Sequence, residues 1–148
     1  MKAYFLRKYS ASVLINKPKD EVWRVLDDFS NYYLWNTFTI AVKSDKIIGN
    51  KVKLTVLMKP GKTPIHQTEY LLEYEEQQSL GWGMNWWPFL QAKRVQRLSS
   101  RSHLETEYYT EDTIRGILCL IVHWLYGKHI QAGFERMALE MKEYLEKK

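Results

Sequence analysis

Val13-Leu-Ile-Asn-Lys-Pro-Lys-Asp-Glu-Val-Trp-Arg-Val-Leu-Asp-Asp-Phe-Ser-Asn-Tyr-Tyr-Leu-Trp-Asn36 reads as a strand that breaks at a proline, enters a helix and stops in an aromatic loop. Ser10 to Ile15 is aliphatic and β-branched, as a strand should be, and Pro18 stops the ladder because it has no N–H to donate. Pro18 suits a first helical turn, Asp20 and Glu21 place negative charge at the positive end of the helix dipole, and Val22, Val25, Leu26 and Phe29 recur at helical spacing. Asp27, Asp28, Ser30 and Asn31 compete for backbone hydrogen bonds and end the helix. Tyr32, Tyr33, Trp35 and Phe38 follow, and so many rings in a loop need something to cover.

Downstream the period changes to two. Val52, Leu54, Val56 and Met58 alternate with Lys51, Lys53, Thr55 and Leu57 until Pro60 and Gly61 turn the chain. Tyr70, Leu72 and Tyr74 alternate with Glu69, Glu73 and Glu75. Leu80, Trp82, Met84 and Trp86 alternate with Gly81, Gly83 and Asn85. Two more runs place Ala92, Arg94, Gln96 and Leu98, then Leu104, Thr106, Tyr108 and Thr110, on one face. Short turns between such runs predict an antiparallel meander with one covered face.

The cover is predicted in Arg115–Lys148, which lacks proline and carries Ile130, Phe134, Met137, Met141, Tyr144 and Leu145 as a helical stripe. Its first third is unusual, because Ile117 to Tyr126 is apolar at every position except His123. An all-round apolar helix needs burial on all sides, and about ten residues is too short for a bilayer span of roughly 20. A cavity mouth, a second copy of the chain in a homodimer, or a peripheral membrane contact through Leu118, Ile121 and Leu125 would take the second face. Gly127 and Gly133 permit a bend after it.

At 148 residues the chain is expected to be one domain spanning 1–148. A single cysteine, Cys119, excludes an internal disulfide, and Met1 to Arg7 shows no apolar run leading to a cleavage site, which suggests a cytoplasmic setting. The net charge of +5 is spread along the chain, with the lysines at 43, 46, 51, 53, 59 and 62 beside apolar strand neighbours, so a solvated sheet face is expected and nucleic acid is not an expected partner.

The order strand, two short helices, about six strands and a long terminal helix resembles the START-like superfamily, also called SRPBCC, of polyketide cyclase/dehydrase and Bet v 1-like proteins. The resemblance rests on Ile-x-x-Pro-x-x-x-Val-Trp at 15–23, Asp-Phe-x-x-Tyr-x-x-Trp-Asn at 28–36, Trp82 after a turn, and Thr-Glu-Asp-x-x-x-Gly at 110–116. Asn16-Lys17 before Pro18 departs from it, where small residues are more usual. The resemblance implies an α+β helix-grip fold: a curved antiparallel sheet of about seven strands around the terminal helix, with a cavity between them for a lipid, polyketide or similar hydrophobic molecule.

Carried into that cavity on the alternation above, Val56, Met58, Tyr70, Leu72, Trp82, Met84 and Trp86 would form apolar walls, and Trp35 and Phe38 its rim. Arg94, Gln96, Thr106 and Tyr108 would add polar groups on the inward phase, with His123 and Tyr126 facing them from the helix. Each also has a purely structural reading, in which the apolar residues pack the core and the polar ones bond one another across strands. Binding or carriage of a small hydrophobic ligand is the first expectation. A polyketide cyclase-like enzyme built on Arg94, Tyr108 and His123 is the alternative, and an interaction module the third. No inward carboxylate is evident, no nucleophile elbow is present, and neither a catalytic set, a metal site nor a cofactor is assigned; Cys119 and His123, four apart, have no third ligand at suitable spacing.

Overall fold

A computed structural model describes residues 5–147. Residues 1–4, part of the stretch read for a leader, and Lys148, the last residue of the expected terminal helix, lie outside the described residues.

The opening segment folds as its local chemistry directs. Strand β1 (Leu6–Ile15) ends where Lys17 N–H bonds the Ile15 carbonyl, and helix α1 (Lys19–Asp27) follows Pro18, burying Val22, Trp23 and Leu26. Asp28 stops it: its own N–H bonds the Val25 carbonyl, and its carboxylate accepts from Asn31 Nδ2 at 2.8 Å. A 3₁₀ helix (Phe29–Leu34) then turns Tyr32 under α1, where its hydroxyl donates to the Leu26 carbonyl at 2.5 Å.

Six strands complete the sheet: β2 (Thr39–Ser44), β3 (Lys51–Val56), β4 (Ile65–Glu75), β5 (Ser79–Trp86), β6 (Leu90–Ser102) and β7 (Glu105–Arg115). Every pairing is antiparallel, in the spatial order β1-β7-β6-β5-β4-β3-β2, so the meander closes with its first strand beside its last. Helix α2 (Cys119–Glu146) lies across the curved sheet and buries Ile130, Phe134, Met137, Met141 and Leu145, the stripe read from the sequence. It runs unbroken through Gly127 and Gly133. Their smallness serves close approach instead: Gly127 lies under Tyr9 and His123, and Gly133 under the Phe38 ring.

One register departs from strict alternation. In β4, Leu71 pairs with Trp82 and Glu73 with Gly81, leaving Leu72 as an extra residue. Such a bulge exchanges the two faces of a strand on either side of it. N-terminal to Leu72, Ile65, Gln67, Glu69 and Leu71 therefore face inward, whereas Tyr74, beyond it, packs against the core. Tyr70 and Leu72, expected inside, are exposed on the outer face, where Leu72 lies over Gly83.

Candidate functional site

Helix α2 approaches the sheet most closely at β1 and β7, so a gap remains over the opposite half of the sheet. That gap is a cavity of about 310 Å³, near the lower end of the roughly 300–1,000 Å³ usual for ligand sites. Its floor is Leu54 and Val56 from β3, Trp82 and Met84 from β5, and Ala92 and Ile114 from β6 and β7. Phe38 and Met58 close one side, and Val122, Tyr126, Ile130 and Phe134 form the roof. A wider trough of about 610 Å³ on the outer face, which Tyr70 and Leu72 help to line, is not enclosed by the helix.

Phe38 is held tightly. Asn36 is buried and its Oδ1 accepts from the N–H groups of Phe38 and Thr39 at 2.9 and 2.8 Å, while Thr37 is latched to Glu140 and Arg136 of α2. The ring meets Phe134 edge-on at 5.8 Å. Trp35, expected beside it at the rim, is instead buried against Tyr32, 5.0 Å between centroids, because the 3₁₀ helix rolls it under the sheet edge.

Three charged groups interrupt the apolar lining: Glu69, Arg94 and Asp112. Arg94 is 7% exposed, with Nε donating to Thr110 Oγ1 and an Nη to Thr39 Oγ1, both at 3.2 Å, and the other Nη to Met137 Sδ at 3.0 Å. Its guanidinium stacks 4.4 Å from the Phe134 ring centroid. A buried cation held this way stays charged and gives the cavity a fixed positive pole. Burial pushes the Asp112 carboxyl up to about 7, with Arg94 pulling it back only in part. Glu69 is raised to about 7 as well, first by burial and then by the charge of Asp112. The cavity therefore holds two carboxyls poised to gain or lose a proton near neutrality beside a permanent cation.

Neither carboxylate was expected here. Glu69 was hidden by the bulge at Leu72, and Asp112 because the inward alternation was followed only to Thr110, whereas β7 continues to Arg115. Extending the phase of Thr106, Tyr108 and Thr110 by one step would have found Asp112.

Of the residues assigned to the cavity from sequence, Phe38, Val56, Met58, Trp82, Met84, Arg94 and Tyr126 line it. Gln96, Thr106 and Tyr108 point inward but lie beyond its end: Tyr108 donates to Gln96 Oε1, and Thr106 donates to the Lys17 carbonyl. Trp86 sits past the other end, 56% exposed against Phe89, since no helix reaches over it. His123 faces away from the cavity and bonds the Tyr9 hydroxyl through Nδ1 at 2.6 Å. Arg94, Tyr108 and His123 thus do not converge on one void. Cys119 is buried and donates to the Ile114 carbonyl, and burial raises its thiol pKa.

No family model and no curated protein sequence matches the chain. Its fold does match solved structures. The di-domain aromatase/cyclase BexL, from the BE-7585A biosynthetic pathway, superposes with a TM-score of 0.73 at 13% identity, over 95% of this chain and 46% of BexL, so the chain spans less than half of that protein. The Zhui aromatase/cyclase of Streptomyces sp. R1128 gives 0.72 at 13% identity, over 96% of this chain and 94% of its own. A point mutant of norcoclaurine synthase from Thalictrum flavum, in complex with a transition-state analogue, gives 0.69 at 11% identity, over 96% and 95%. At such identities the likeness is one of fold.

Proposed function

From a chain with the helix-grip fold of the START-like superfamily, we propose that the cavity under α2 binds a small, mostly apolar molecule carrying one polar end. The observation that supports this is the arrangement of the walls: aliphatic, aromatic and thioether groups make up most of the lining, and its charged groups, Glu69, Arg94 and Asp112, are joined by the polar Thr39 and Gln67. The apolar body would lie along Leu54, Val56, Met84 and Ile130. The polar end would be oriented by the guanidinium or by a carboxyl, whichever matches its charge.

Native mass spectrometry of the purified chain tests the reading. A small-molecule mass excess, lost on denaturation and absent from a cavity-filling Ala92→Phe variant, is expected. A chain that carries no excess and takes up no fluorescent fatty acid would overturn it.

A second reading, acid–base chemistry of the polyketide cyclase type on the bound molecule, is favoured by the pairing of Glu69 with Asp112. Both are held near neutrality, where a group serves well as acid or base. It replaces the trio of Arg94, Tyr108 and His123 with a different set. A cytoplasmic setting accords with the lone cysteine, and of the residues expected at a homodimer or membrane contact Ile121 and Leu125 are exposed while Leu118 is half-buried.

A further inference from the structure

The start of α2 is apolar and uncovered. Trp124 is 83% exposed, and Ile117 and Ile121 are each more than half exposed, with Leu120 and Leu125 also open. Joined to them is the β5–β6 turn, which presents Trp86, Trp87 and Phe89. The two elements form one unit: Ile117 N–H bonds the Pro88 carbonyl at 3.0 Å and Leu118 N–H the Phe89 carbonyl at 2.8 Å. Leu90, next to Phe89, and Val122 and Tyr126, between and after the exposed positions of α2, line the cavity. The patch therefore borders the cavity mouth.

The charge around it has one sign. No aspartate or glutamate occurs in 56–68, 84–94 or 113–134, the segments that carry the patch and its basic neighbours, whereas Arg115, Lys59, Lys62 and Lys128 do. Lys128 follows Trp124 by one helical turn on the exposed side, and Lys59 Nζ lies 5.2 Å over the Tyr126 ring. Among the described residues none of these four cations pairs with a carboxylate.

We infer that this surface docks on an anionic lipid bilayer, with Trp124, Trp86 and Trp87 at the headgroup boundary and the basic residues on the lipid phosphates, so that the cavity mouth faces the membrane. Tryptophan favours that boundary because it joins a large apolar ring to one N–H, and amphipathic surfaces with basic flanks bind anionic lipid. No described helix is long and apolar enough to cross a membrane, so contact is with the surface. A second copy of the chain fits less well: a two-fold contact through this patch would bring its own Lys128 and Arg115 together with no acid to meet them. The inference rests on the chamber reading only for its purpose.

Vesicle flotation with the whole chain tests it, using phosphatidylcholine alone and phosphatidylcholine mixed with phosphatidylserine. Binding to the anionic vesicles is expected, weakened about tenfold or more by Trp124→Ser and about fivefold by Lys128→Gln. Both positions are exposed, so the variants should fold. Equal behaviour of parent and variants would overturn the inference, as would a stable dimer that Trp124→Ser turns into a monomer in a chain that ignores vesicles. Vesicle binding by a chain with an empty, unfillable cavity would keep this surface and remove the chamber; a filled cavity in a chain that ignores vesicles would do the reverse.

Discussion

Arg94 and Asp112 stand directly opposite each other on β6 and β7, yet every hydrogen bond of the guanidinium goes elsewhere, to Thr110, Thr39 and Met137. The carboxyl is thus left facing the cavity with Glu69 as its neighbour, charged only at the cost of burial.

That cost predicts a pH dependence. The folded-state pKa values of Glu69 and Asp112 are raised to about 7, above the unfolded range near 4, so the native state holds their protons more tightly. Their contribution to stability is fully present below about pH 4 and is lost as the pH rises through about 7. Urea unfolding across that window should show the parent losing roughly 2 kcal/mol relative to Glu69→Gln/Asp112→Asn, after allowance for cavity water. Parallel profiles would contradict the assignment.

Arg94→Met tests the cation. It removes the charge that lowers both carboxyl pKa values and leaves Thr39 and Thr110 without their donor. A loss of about 2–3 kcal/mol is expected, together with carboxyl titration moving above 7 when followed by carbon NMR of the side chains. Carboxyl pKa values falling in the variant would show that Arg94 does not act on them.

Tyr108 and Gln96 form a buried polar pair, the phenol donating to Gln96 Oε1, with the Tyr32 phenol beside the Gln96 amide. Tyr108→Phe should cost about 1–3 kcal/mol by orphaning the amide oxygen. Adding Gln96→Leu should recover most of that loss, because an apolar pair has nothing to satisfy. A double-mutant cycle measured by denaturation gives the coupling; additive losses would refute the pairing.

Gly133→Ala should push the Phe38 ring, since a methyl there meets the ring edge. Helix propensity would gain up to about 1 kcal/mol, and overpacking would cost about 1–3 kcal/mol, so a net loss is expected. Because Phe38 lines the cavity, retention of a fluorescent fatty acid should change along with stability. A variant with unchanged retention would place the ring outside the binding volume.

Much of the fold lay in local patterns. Pro18 between an aliphatic run and a helical one, the strict alternation of Val52 to Val56 and Leu80 to Met84, and the stripe from Ile130 to Leu145 each fix a conformation or a face over a few residues, and the folded chain keeps them. From such patterns came Phe38, Trp82, Met84 and Arg94 at the cavity. Glu69 could not come that way. The bulge at Leu72 exists because β4 must pair with β5 on both sides of it, and cross-strand pairing is invisible in one strand read alone; it turned Glu69 inward and Tyr70 outward. Exposure was likewise undetermined. Trp86, Trp124 and Trp82 are the same side chain, and only the placement of α2 on the sheet decides that two meet solvent and one is buried. By itself the sequence determined which elements form and which faces are apolar, because those follow from near neighbours. The tertiary structure decided which groups share the cavity and which apolar surface stays uncovered, because both depend on contacts between residues far apart in the chain.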